Sequence, residues 1–188
     1  MRDVCLINPS KSEVKNKQNL EVSFLPMEDC KEYSLYVYPK QTRKIENIRK
    51  DYAYFVEDDL LIAKITPCFE NGKMSVTKYL KSGVGFGSNK FFVLRAKEEV
   101  LIEWVYYYLR SSNFLEEGKT AMTGTDGRRA LRKDFIENFL IPVPPLEVQE
   151  KFVRELKEEQ EIINWQKQSI NLLKDKEKRF LASLWEND

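Results

Sequence analysis

The residues in this chain best suited to chemistry are cations and amides set in glycine-marked loops, and the chemistry they suit is recognition of a polyanion. The stretch TGTDGRR, Thr123 to Arg129, places Thr123, Thr125 and Asp126 beside two guanidinium forks, Arg128 and Arg129, with Gly124 and Gly127 between them. Guanidinium groups pair with phosphate or with guanine edges, short polar groups reach other base edges, and glycines let backbone approach closely. Ser88, Asn89 and Lys90 follow a glycine run, and Lys73 follows the Asn71-Gly72 pair. Lys73, Ser88, Asn89, Lys90, Thr123, Thr125, Asp126, Arg128 and Arg129 are therefore expected to form one side that faces double-stranded DNA. Lys78 and Lys81 read instead as strand-edge lysines that discourage edge-to-edge pairing.

Catalysis finds less support. The chain has no histidine, which removes His-based acid or base work, Ser-His-Asp and Cys-His nucleophiles and His-containing zinc sites. Cys5, Cys30 and Cys68 are an odd number without close pairing, so a disulfide framework is not expected and a reducing, cytoplasmic compartment is. Cys68 reads as a small buried hydrophobe. Glu57, Asp58, Asp59 and Glu70, with Lys64 and Lys73 nearby, could be imagined as a metal-dependent nuclease; a turn ahead of a strand is the better reading of Asp58 and Asp59. The Pro-Pro pair in VPPLE lacks the preceding Asp or Asn and the following aromatic of an adenine methyltransferase element. There is no G-x-x-x-x-G-K-[ST] loop, and GVGFG precedes a strand where a dinucleotide fingerprint needs a helix. No catalytic residue, metal ligand or cofactor is expected in this chain.

Charge is segregated along the sequence. The 188 residues net only +1, yet Asn71 to Lys97 holds six cations, Lys73, Lys78, Lys81, Lys90, Arg95 and Lys97, and no carboxylate. Lys40 to Lys50 and Lys119 to Lys133 each net +4, while the last 44 residues net −2. A basic front and a mixed-charge tail imply two parts with different partners. Hydrophobic residues make up 42% of the chain, enough for a core, and no apolar run approaches a bilayer span.

The elements that must hold the loops are short strands with one helix. VSFL (Val22 to Leu25), DLLIAKI (Asp59 to Ile65), KMSVTKYL (Lys73 to Leu80) and FFVLRA (Phe91 to Ala96) read as strands. Asn71-Gly72 is read as the turn between the second and third of these, and Gly83, Gly85 and Gly87 as a loosened segment. Val100, Leu101, Trp104, Val105, Tyr108 and Leu109 repeat at one-turn spacing, predicting a helix with Trp104 and Tyr108 packed on the core. FLIPVPP is extended, since its prolines forbid helix. From Leu146 to about Trp185 neither Gly nor Pro occurs, and Phe152, Leu156, Ile163, Ile170, Leu173, Phe180 and Leu184 fall on three- and four-residue steps interrupted at Glu159, Gln166 and Glu177. One helix of about 40 residues, roughly 60 Å long, is predicted, with that seam available for pairing.

EDDLLIAKITPCFENGK at Glu57 to Lys73, GFGSNKFFVLR at Gly85 to Arg95, TGTDGRR at Thr123 to Arg129 and IPVPPLEVQEKFVREL at Ile141 to Leu156 resemble, in order and spacing, the target recognition domain of a specificity subunit of type I restriction-modification systems. The resemblance implies an α/β (α+β) fold, a small mixed-strand recognition domain over 1–144 followed by one long projecting helix over 145–188. It implies a non-catalytic chain that reads half of a bipartite DNA target, with the helix serving dimerisation, spacing and docking of an adenine-N6 methyltransferase subunit. S-adenosylmethionine and ATP are then expected only in partner subunits, the methyltransferase and the restriction/translocase subunit. Full-length members usually carry two recognition domains and two helices where this chain has one of each, as in a half-length subunit that forms a homodimer through antiparallel helices, or part of a longer chain. The alternative is a structural adaptor that binds a protein through its long helix.

Overall fold

Four consecutive apolar residues, Leu60 to Ala63, are each fully buried because they form the middle strand of a sheet covered on both faces. In a computed structural model the described residues are 1–14, 19–110, 112–125 and 127–185, with the side chains of 13, 112, 164, 167 and 183–185 left outside the description. Among them the strands run β1 (Cys5–Ile7), β2 (Glu21–Leu25), β3 (Tyr36–Val37), β4 (Gln41–Lys44), β5 (Ala53–Val56), β6 (Leu60–Ala63), β7 (Met74–Thr77), β8 (Val84–Gly87) and β9 (Phe91–Ala96). Helices α1 (Ile102–Leu109), α2 (Ser112–Ala121), α3 (Lys133–Asn138) and α4 (Leu146–Trp185) follow. The fold is mixed α/β with two sheets, ordered β1-β9-β6-β7-β3 and β4-β2-β8-β5, and a long C-terminal helix.

The pleat of the first sheet separates two cores. Leu60, Ile62, Met74, Val76, Phe92 and Leu94 pack with Ile102, Val105, Tyr106 and Leu109 of α1, Phe114 of α2 and Ile136 of α3. The alternate residues Leu61, Ala63, Phe91 and Val93 pack with Leu25 and Phe55 of the second sheet. Successive side chains of a strand point to opposite faces, so β6 builds both cores at once. Ser75 and Thr77, the polar residues that alternate with Met74 and Val76 in β7, are buried too; Ser75 Oγ donates to Ser34 O at 2.6 Å and Thr77 Oγ1 to Val56 O at 2.7 Å.

Several local expectations change. The glycine run is strand β8, not a loosened segment: Phe55 lies opposite Gly85, and a Cβ at Gly85 would come 2.0 Å from its ring. Glycine here makes room for an aromatic ring rather than for a turn. The link from β6 to β7 is a loop over 64–73 with a cis Thr66-Pro67 bond, and Gly72, at φ +66°, only closes it. Two helices beyond α1 appear, because each buries too few apolar residues to show a periodic stripe; Gly118 within α2 lets Phe69 pack, since a Cβ there would lie 2.3 Å from its ring. In α1 the fully buried face is Ile102, Val105, Tyr106 and Leu109, with Val100 and Leu101 ahead of the helix. Trp104 and Tyr108 pack against the core only partly buried, and Trp104 Nε1 donates to Pro142 O at 3.0 Å.

The 40-residue helix is present as expected, Leu146–Trp185. The chain divides into compact units Met1–Gln149 and Glu150–Asp188, so the first turn of α4 belongs to the first unit. Gln149 explains this. Its buried side chain accepts from Leu101 N at 2.9 Å and donates to Glu99 O at 3.1 Å and Pro144 O at 2.7 Å, satisfying an N-terminal donor of α1 that Leu101 cannot cap. In the second unit the seam residues Phe152, Ile163, Ile170, Leu173 and Phe180 are 41 to 65% exposed and Leu156 is half-buried; the Leu184 side chain lies outside the described residues.

Asp59 fastens the two sheets. Its carboxylate, fully buried, takes both Nε and Nη2 of Arg95 at 2.8 and 2.9 Å and the N–H of Val56 at 2.8 Å. Removing one partner of such a pair strands the other. Asp59→Ala is expected to cost about 3 kcal/mol, the low end of the range for broken buried pairs because Arg95 keeps some solvent contact, as chemical denaturation would measure.

Candidate nucleic-acid interface

Because β6 runs antiparallel to both β7 and β9, the residue after β6 and the residues before β7 and β9 emerge at one end of the sheet. Those residues are Lys64, Lys73 and Lys90. Backbone hydrogen bonds join them: Ala63 N to Lys73 O at 3.0 Å, and Lys64 N to Lys90 O at 2.9 Å. The same strand end holds the TGTDGRR loop, through Leu131 N to Lys64 O at 2.7 Å, Thr66 N to Arg129 O at 3.1 Å and a bridge between Ile65 and Ala130. Three loops that are distant in sequence thus share one rim.

Within the long loop, Thr123 and Ala130 exchange backbone hydrogen bonds at 3.0 and 2.8 Å, and Arg128 N donates to Thr125 O at 2.9 Å. Gly124, at φ +127°, is required by this closure, since a Cβ would lie 2.7 Å from Arg128 O. The close approach it permits is of loop to loop. Thr123, Thr125 and Arg128 are exposed; Asp126 lies outside the described residues. The second sheet adds to the rim where β8 ends: Ser88 N donates to Leu25 O at 3.2 Å, and Ser88 Oγ accepts from Lys90 N at 3.2 Å. Asn89 Nδ2 donates to Asp51 Oδ2 at 2.8 Å, so this amide is engaged rather than offered outward. Asp51 also takes both forks of Arg49, and Lys11 Nζ donates to Lys50 O at 2.6 Å.

Ion pairs sort the cations into structural and available. Arg129 is bonded to Glu70 at 2.8 Å, both partners largely covered, so the two loop arginines are not equivalent as the sequence implied. Arg95 belongs to Asp59, Lys78 to Asp58, Lys81 to Glu21, and Lys97 Nζ donates to Arg2 O and Asp3 O. Of the six cations in the acid-free window, Lys73, Lys90 and Lys97 have no ion-pair partner among the described residues, and of these Lys97 is taken by two backbone carbonyls. Arg128 has none there either. The exposed Arg49–Asp51 pair, about 0–1 kcal/mol by its class, would yield readily to a phosphate. Glu57, Asp58, Asp59 and Glu70, the imagined nuclease set, are each held by backbone N–H groups or a cation, and no cluster of three metal-ligating side chains occurs among the described residues.

Lys64, which the sequence set beside the imagined nuclease carboxylates and not on the DNA-facing side, is the most telling cation. Its ammonium lies 5.0 Å over the Phe92 ring and is held below the ordinary lysine range, first by burial and then by the like charge of Lys90. Burial likewise lowers Lys11, with Asp51 opposing. A fold that sets two ammonium groups against each other leaves that repulsion for an anion to relieve.

The sequence model of the type I restriction modification DNA specificity domain matches residues 1–175. The chain belongs to that family. Among curated specificity-domain relatives, the EcoEI specificity subunit of Escherichia coli is 34% identical over 154 residues, 81% of this chain and 26% of that protein. The EcoAI specificity subunit of the same organism is 35% identical over 148 residues, 78% of this chain and 25% of that protein. This chain therefore spans about a quarter of the length of those relatives. The HsdS subunit of Thermoanaerobacter tengcongensis shares the fold at TM-score 0.59 and 22% identity, over 89% of this chain and 37% of that one. A chain from a structural study of assembly and conformational transition in the type I system does so at TM-score 0.61 and 22% identity, over 89% and 38%. Lys64, Lys73 and Lys90 thus close the sheet of a specificity-domain fold.

The unfolded chain binds the Lys64 proton more tightly than the folded chain does, so this residue opposes folding at neutral pH and the penalty fades as pH rises toward 10.5. Lys64→Met is accordingly expected to raise the midpoint of thermal unfolding at pH 7 and to flatten the rise in stability as pH approaches 10.5, as calorimetry over a pH series would record.

Proposed function

We propose that this chain is the DNA-reading part of a type I specificity subunit, recognising one half of a bipartite target through the rim that carries Lys64, Lys73, Lys90 and the Arg128 loop. One observation carries the reading: Lys64, Lys73 and Lys90, none with an ion-pair partner among the described residues, are gathered at a single sheet end that also holds the exposed Arg128 loop. Phosphates would supply the missing anions, and Arg128, Thr123 and Thr125, exposed on the loop joined to that sheet end, would reach base edges. Asn89 and Arg129 are assigned to holding the rim's shape.

The chain itself is proposed to be non-catalytic, with methylation and cleavage belonging to an adenine-N6 methyltransferase subunit using S-adenosylmethionine and to a restriction/translocase subunit using ATP. The exposed seam of α4 supports a pairing role for Phe152, Ile163, Ile170, Leu173 and Phe180. Two copies joined by antiparallel helices would read an interrupted palindrome, since two-fold symmetry in a protein is mirrored in its site. Among the described residues no helix is long and apolar enough to cross a membrane.

Salt separates this reading from that of an adaptor acting through its helix. Affinity for target duplex should fall steeply between 50 and 200 mM salt, whereas helix pairing should not. Lys90→Ala is expected to reduce the salt slope by about one without lowering the melting midpoint, and Arg128→Ala to cost about 1–3 kcal/mol of affinity for the target and relax its specificity with the melting curve unchanged. Arg129→Ala is expected to lower the melting midpoint, because it strands Glu70. Equal affinity of Arg128→Ala and wild type for the target would remove Arg128 from the interface.

A further inference from the structure

The opposite end of the same sheet carries a surface that DNA reading does not use. Strand β3 pairs parallel to β7 with Val37 beside Thr77, so the residues that follow both strands leave the sheet together. Tyr38 and Tyr79 are stacked there, ring centroids 5.6 Å apart at 23°, and they are 51% and 83% exposed. Tyr79 sits in the left-handed backbone region at φ +55°, which a bulky aromatic seldom adopts. The carboxylate of Glu57 holds it there, accepting the N–H of Tyr79 and, at 2.9 Å, that of Leu80. The fold thus constrains backbone in order to keep a large ring in water.

Charge at this end is the reverse of the rim. Lys78 is met by Asp58 and lies 5.3 Å from the Tyr36 ring, whose hydroxyl donates to Glu103 at 2.8 Å. Burial alone would lower the Lys78 ammonium, but Asp58 and Glu103 outweigh it and hold it above its ordinary value. Asp58 and Glu103 both act on this one ammonium, and the Glu57 carboxylate beside them is met by backbone N–H groups and not, among the described residues, by a cation. Electron-rich ring faces beside excess carboxylate attract guanidinium and repel phosphate. Within the chain too cations seat on aromatic rings, Arg43 3.4 Å over the Phe24 ring and Arg110 5.0 Å over Tyr33 among them.

We propose that the Tyr38–Tyr79 ledge is a protein-docking surface that receives an arginine-bearing face of a partner subunit, leaving the basic rim free for DNA. Tyrosine and arginine are the residues that most often dominate binding energy at protein interfaces. This inference rests on the reading that the chain docks a methyltransferase subunit, so that subunit of its own system is the probe. Full-length chain carrying Tyr38→Ala and Tyr79→Ala should bind it about tenfold or more weakly, by light scattering and titration, while keeping wild-type affinity for target DNA. Tyr79→Phe, which keeps the ring and loses the hydroxyl, should bind like wild type. A double variant that binds the methyltransferase normally overturns the ledge alone. A double variant that loses DNA affinity and retains the subunit overturns it too, in favour of a stacking surface for bases. Wild-type chain that fails to bind the subunit overturns the docking reading and the ledge with it.

Discussion

Burial of β6 on both faces is the constraint from which the domain follows. A strand whose four residues are all fully covered must have a layer on each side, so LLIA requires helices against one face and a second sheet against the other. Its antiparallel pairing with β7 and β9 then decides which loops emerge together. Lys64, Lys73 and Lys90 share a rim because of strand direction, and Tyr38 and Tyr79 share the other end because β3 runs parallel to β7.

Electrostatics sets two parts of the same domain apart. The buried Asp59–Arg95 pair ties the turn between the two sheets to β9, and a charge so placed can be tolerated only with its partner present. Glu70 fixes Arg129 in the same manner and so shapes the loop that exposes Arg128. Elsewhere at the rim the opposite holds: Lys64 is half-buried near Lys90, an arrangement that costs stability in the absence of an anion. Sites that work on a ligand commonly keep such unrelieved interactions, while the surrounding structure supplies compensation.

The strands VSFL, LLIA and FFVLRA and the helix over 146–185 were legible because apolar run or period alone specifies them. The segments that escaped are those specified by a partner. Strand β4, QTRK, has no apolar residue and exists because β2 offers it backbone to pair with. Strand β8 looked loose because Gly85 makes room for Phe55, a residue 30 positions away, and Gly87 for the Leu25 carbonyl. Gln149, within a block that resembled the family, gave no local sign that it would cap α1.

Residue types by themselves determined the class of chemistry: the lack of histidine, the acid-free basic window and the glycine-flanked arginines pointed to recognition of a polyanion, and the last forty residues to one long helix. Only the tertiary structure decided which cations are available. Coulombic pairing depends on distance, and distance between Arg129 and Glu70, or between Arg95 and Asp59, is set by strand register and loop closure rather than by position along the chain. A window of charge counts cations; the fold assigns them partners.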